Sequence, residues 1–340
     1  MADRDGLVPR DSVVYQEFVR LYQVARQLRP TSVDRWNGDL YAVAAENWGA
    51  FDPATGSIRL SPSRVLRHLT GSISPTEPHR QAQALATVLH EATHAGMLTD
   101  APDEPNAVRT RHSLGLMEGI AEVRTLADFD LFTERSGYSG LVLAEPQYPG
   151  ALTAAEGLIA QATGPAKSTV ALLEEATRGP GVMHFDQLAD AVVRNRLAEV
   201  VPHHPEHRRA VRAALIPTMT HAYWPSIQHR PADAGEHLAN EVRQHLNAKV
   251  DEIRRYYLPN PQQPFPAEPP NPVQMRAPDT DVQHRVAGAE QMRFLAGQAP
   301  PTGAVHAKPA LGDGARDTGA TSVRPLTHSP SQRPPDRPRE

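Results

Sequence analysis

Within LATVLHEATHAGMLTD (85–100), His90 and His94 stand four residues apart, and Glu91 directly follows the first of them. On a helix, positions i and i+4 point the same way, so two imidazoles from consecutive turns face one cation while Glu91 lies beside them. Neutral imidazoles are zinc ligands, and a carboxylate next to a metal-activated water is a general base. The same five-residue pattern also arises by chance in a histidine-rich chain, and this one carries 16 histidines. The apolar flanks weigh against accident. They put both rings on a largely buried helix, where unpaired imidazoles need partners.

A hydrolytic zinc needs a third protein ligand and an open position. Three carboxylates qualify. Glu118, in LMEGIAEVRT, stands 24 residues beyond His94 on a second helical run, which would reach the metal if it packed antiparallel to the first. Glu122, one turn further, suits a residue that orients a ligand or pairs with a charge as well as it suits a ligand. Asp100 lies six residues past His94, as in the aspartate-terminated metzincin pattern, but Gly96 falls one residue short of that pattern's turn and bulky Met97 occupies it. Reading Glu91 and His94 as half of a di-iron carboxylate site requires the motif twice, and the chain has one copy.

HEATH followed by a helix bearing MEGIAE resembles the gluzincin branch of zinc metallopeptidases, over about residues 40–130. The resemblance implies a zincin-like catalytic domain with Zn²⁺ held by His90, His94 and Glu118. Glu91 would be the general base and a peptide or protein the substrate. It further implies an oxyanion donor from a downstream segment, for which His221 and Tyr223 in MTHAYWP, or Tyr256 and Tyr257, are candidates. A tyrosine at a helix end with its hydroxyl in water is the ordinary alternative for each. SIRLS (57–61), just upstream of the motif helix, is either the edge strand that pairs with an extended substrate or an ordinary core strand. Two other functions compete with peptide hydrolysis. One is a zinc hydrolase acting on a non-peptide amide or ester; the other is a non-catalytic helical interaction protein with a Pro-rich ligand tail.

The elements that must position these residues follow from periodicity. Val14, Phe18, Leu21 and Tyr22 recur at helical spacing from Asp11 to about Leu28, and Pro30 ends the run. LYAVAAEN (40–47) and GAFDPATGSIRLSP (49–62), the latter holding a DPATG turn, predict a small antiparallel sheet. Ser74 or Thr76 can cap the motif helix, with Pro75 or Pro78 in its first turn. SLGLMEGIAEVRTLADFDLF (113–132) is the second helix, and further helical segments fill 151–257. The fold expected is α+β: a zincin-like domain over 12–140, a helical domain over 150–257, and a disordered Pro-rich tail over 259–340. About half of the 33 prolines lie beyond Tyr257. Within that tail only 281–297 has the spacing of a short helix, and PQQP and PAEPP are candidate ligands for a partner's aromatic groove. HHPEH (203–207) reads as a solvated helix start.

Composition narrows the partners. A formal net charge of −4 leaves no broad basic footprint for nucleic acid, and no stretch is long and apolar enough to span a membrane. Without cysteine, disulfides, thiolate zinc sites and a cysteine nucleophile are excluded. The N-terminal residues lack the apolar core of a signal peptide, so a cytoplasmic location is the default expectation, with export by a route without a cleaved signal left open.

Overall fold

Ser12 starts the first helix, α1 (Val13–Leu28), by accepting the Tyr15 amide at 3.2 Å, and the helix buries Tyr15, Phe18, Leu21, Tyr22 and Ala25. That face packs on α2 (Pro78–Ala95), the helix bearing HEATH, in which Pro78 occupies the first turn and Gly96 is the C-cap. Ser74 acts one turn earlier than a cap, its Oγ accepting the Glu77 amide at 3.2 Å. The computed structural model describes residues 6–44, 47–259 and 261–270, and the architecture is α+β.

Four short strands form one sheet: β1 (Gly6–Leu7), β2 (Leu40–Ala42), β3 (Gly49–Asp52) and β4 (Ser57–Leu60). Their order is β1-β2-β4-β3, so the sheet is mixed rather than antiparallel as expected. Strand β4 runs parallel to β2, with Leu40 opposite Ile58, and antiparallel to β3, with Phe51 opposite Ile58. The DPATG turn explains this. Asp52 Oδ1 accepts the Ala54 amide at 2.9 Å, and Gly56, at φ +77°, donates its amide to Asp52 O. The turn folds β4 back between β2 and β3. SIRLS is therefore an interior strand with Ile58 and Leu60 fully buried, and the edges are β1 and β3.

Beyond α2 come α3 (Arg111–Arg135), α4 (Pro149–Ala162), α5 (Thr169–Arg178), α6 (His184–Arg196), α7 (Pro205–Met219) and α8 (Ala232–Tyr257), with a 3₁₀ turn at Trp224–His229. Two large apolar clusters result. One gathers α1, the sheet and α2; the other gathers α4 to α8. Helix α3 enters both: Leu116 and Ile120 lie in the helical cluster, Phe129 and Phe132 in the first. Two glycines permit its close packing. A Cβ on Gly115 would lie 2.0 Å from Trp224 O, and one on Gly119 2.5 Å from Ala151 O.

The packed structure continues past α8, where the sequence predicted the tail to begin at 259. Phe265 is buried in the helical cluster, its amide donates to Tyr257 Oη at 3.0 Å, and its ring meets Tyr256 edge-on at 5.1 Å. One large aromatic side chain with two tyrosine partners is enough to hold a Pro-rich stretch that lacks helical or strand periodicity. Residues 271–340, including the segment 281–297, lie outside the described residues. Every described residue belongs to one compact unit. Among the described residues, no helix is long and apolar enough to cross a membrane.

Candidate metal centre

Helical spacing and the packing of α2 on α3 bring three ligating atoms together. His90 Nε2 lies 3.0 Å from His94 Nε2 and 3.2 Å from Glu118 Oε2, and His94 Nε2 lies 3.5 Å from the same carboxylate oxygen. Atoms bound ~2.0–2.1 Å from a tetrahedral zinc are about 3.3–3.4 Å apart, so this triangle is close to one face of such a tetrahedron. His90, His94 and Glu118 can hold a metal ion, and they are the one such group among the described residues. Both histidines are buried, and the Glu118 side chain is 20% exposed.

Glu122 does not join the triangle. Its Oε2 lies 3.0 Å from His90 Nδ1 and its Oε1 accepts the Gln147 amide at 2.6 Å. With the Glu122 carboxylate at Nδ1, Nε2 is the nitrogen left facing Glu118 and His94. Asp100 is elsewhere, paired with Arg109 Nε at 3.0 Å. Gly96 makes space for a guanidinium instead of a ligand turn: a Cβ there would lie 1.9 Å from Arg26 Nη1.

Glu91 is buried on the side of α2 that faces the sheet. Its carboxylate lies against β3, where a Cβ on Gly49 would come within 3.0 Å of Oε1. Burial pushes its pKa up, against the pull of His90 and His94. Glu118 goes the other way: burial alone would raise it, but the His94 and His90 imidazoles hold it well below the usual carboxylate range. For His90, burial is outweighed by the hydrogen bonds to Glu118 and Glu122, which raise its pKa.

Tyr148, at the N-cap of α4, was not among the residues that sequence reasoning selected. Its ring centroid lies 5.4 Å from that of His90. Burial raises its phenol pKa strongly, and Glu118, Glu91 and Glu122 add to the effect, so it stays a neutral donor. Gln147 anchors the segment to α2 through Thr87 Oγ1 and through Gln83 O at 3.1 Å. The only local signal was an aromatic residue before a helix-starting proline, which does not report proximity to residue 90. His221 and Tyr223 are engaged with the C-terminal helices. His221 Nε2 bonds Glu241 at 2.7 Å, while Tyr223 stacks under Arg230 and near His237. Tyr256 and Tyr257 hold residues 263–265. In HHPEH, His207 is buried and bonded to Tyr257 Oη at 3.2 Å, so that helix start is not wholly solvated.

Compared with protein families, curated proteins and solved structures, the chain matches none.

Proposed function

We propose that the protein is a zinc-dependent peptidase of the gluzincin type, hydrolysing peptide bonds with Glu91 as general base. The observation that carries this reading is the near-tetrahedral triangle of His90, His94 and Glu118, with Glu91 on the same helix but outside the ligand set. Two nitrogens and one oxygen with no thiolate match catalytic rather than structural zinc. When bound, zinc supplies an acidified water and polarises the scissile carbonyl.

The chain's own residues do the rest. Glu91, held in a site that raises its proton affinity, takes the proton of the attacking water and returns it to the leaving nitrogen. Glu122 fixes the tautomer of His90. Tyr148 is the best-situated hydroxyl for the oxygen that becomes negative, because it is neutral and lies against the ligand cluster. A peptide is favoured over other carbonyl substrates because β3, whose Gly49 lies beside Glu91, is an edge strand that can pair with an extended main chain.

The test is metal analysis of the purified full chain together with cleavage of a broad peptide library. About one zinc per chain and cleavage abolished by a chelator are expected. Folded protein that takes up no zinc would leave the non-catalytic interaction protein as the better reading. Zinc uptake with ester or small-amide turnover and no peptide cleavage would assign the site to another hydrolase.

A further inference from the structure

The connection from α3 to α4 ends in Glu145, Pro146, Gln147 and Tyr148, a stretch outside any helix or strand. It is nevertheless tied to two successive turns of α2. Gln83 Nε2 donates to Glu145 O at 2.5 Å, and Gln147 Nε2 donates to Gln83 O at 3.1 Å and to Thr87 Oγ1. The Thr87 hydroxyl is free to accept because its own proton goes to Gln83 O at 2.9 Å. Pro146 and Pro149 each fix their own φ and restrict the residue before them, which leaves the stretch few competing conformations.

What these bonds deliver is one main-chain amide. Glu122 is 1% exposed, and a carboxylate so buried needs partners for both oxygens. Its Oε2 meets His90 Nδ1 at 3.0 Å, and its Oε1 accepts the Gln147 amide at 2.6 Å. The contacts close a ring. Gln83 and Thr87 on α2 hold Gln147, Gln147 holds Glu122 on α3, and Glu122 holds His90, which is back on α2 one turn beyond Thr87. If the amide were withdrawn, Oε1 would lose this donor in a buried place, and Glu122 would be free to turn away from His90 toward another.

We propose that Gln147 is a positioning residue of the metal centre: its side chain locks its own amide onto Glu122, and Glu122 in turn orients His90. The inference rests on the reading of His90, His94 and Glu118 as zinc ligands. It carries a linkage, because attachment of the 145–148 strap and binding of zinc must then strengthen one another by the same factor. Tyr148 shares the arrangement, since the residue that follows the anchored amide is the one whose ring lies against His90. The Gln83 side chain provides the contrast. It reaches only Glu145 O, with its Oε1 unpartnered, and so ties down the strap without holding the Gln147 amide.

Two measurements on the full chain test this. In a chelator competition, Gln147→Leu should weaken zinc binding about tenfold, the lower end for a residue that orients a ligand, while Gln83→Leu leaves it unchanged. In a Glu122→Ala background, Gln147→Leu should cost no further zinc affinity, whereas a merely structural loss would add to the Glu122 effect. In the natural chain, zinc should slow deuterium exchange of the 145–148 amides by about tenfold as well, as linkage requires. Should Gln147→Leu fail to fold, the exchange experiment decides alone. Equal losses of affinity in Gln147→Leu and Gln83→Leu, additive losses in the double variant, or exchange at 145–148 indifferent to zinc would each overturn the proposal while leaving the zinc site standing. A natural chain that takes up no zinc would overturn the metal reading and this inference together.

Discussion

Adjacent side chains on α2 are given different tasks by the directions in which they point. His90 and His94 bring Nε2 together with Glu118, whereas Glu91 lies against Gly49 of β3. Replacing Glu91 with Gln should therefore keep the metal and the fold while lowering peptide turnover by about 10²- to 10⁴-fold, as loss of a general base does. Unchanged turnover in a zinc-loaded Glu91→Gln protein would refute the assigned role. The three carboxylates weighed for the third ligand separate in the same way. Glu118→Ala should abolish high-affinity zinc binding in a chelator competition. Glu122→Ala should weaken it by about 10- to 100-fold, as expected for a residue that orients a ligand. Asp100→Ala, at an Arg109 partner, should leave it unchanged. Equal losses for Glu118→Ala and Asp100→Ala would contradict the geometry.

At the scale of elements, α3 sets the position of Glu118, and it does so through contacts that tolerate no side chain. Gly119, next to Glu118, lets the Ala151 carbonyl of α4 approach, since an added Cβ would lie 2.5 Å from that oxygen. Gly119→Ala should then force α3 and α4 apart, costing about 1–3 kcal/mol by overpacking and weakening zinc binding as well. A variant that melts like the natural chain and binds zinc equally would show that the contact relaxes freely. Helix α6 brings a pH dependence. His184 is fully buried with Nδ1 unpartnered, and burial lowers its pKa to about 4, with the Ala176 carbonyl opposing and His94 adding slightly. The folded value lies below the unfolded ~6.5, so the unfolded chain takes up a proton that the folded chain refuses. Stability from this group is complete above about pH 6.5 and falls as pH drops toward 4, by at most about 3 kcal/mol. Urea melts across that window should be flatter for His184→Gln; an unchanged slope would remove His184 as the cause.

Among the described residues, the helical cluster extends past α8 into a Pro-rich segment. Phe265 fills a place in the helical cluster between Tyr256 and Tyr257, and Lys249 lies over its ring. A chain ending at 258 should consequently melt below one ending at 270, and Phe265→Ala should lose on the order of 3 kcal/mol, as for other buried phenylalanines. Equal melting of the two truncated chains would mean that the segment contributes nothing to the core. The two apolar clusters share α3, which also carries Glu118 and Glu122, so unfolding of either cluster should disturb the ligand set.

What the sequence determined by itself was local. The 3.6-residue period places His90 and His94 on one face of α2, the apolar flanks bury them, and the Asp52–Gly56 turn is written in DPATG. The choice of Glu118 over Glu122 and Asp100 was only narrowed, because it depends on how α3 crosses α2. Tertiary structure decided the rest. Tyr148 reaches His90 only because α4 packs on Gly119, and β4 is interior only because β2 pairs with its other side, opposite β3. Arg29 and Arg124 share Asp128 only where the end of α1 meets α3. Periodicity reports which face of an element is buried, but the partners of that face are set by packing between residues distant in sequence, where no local pattern records the contact.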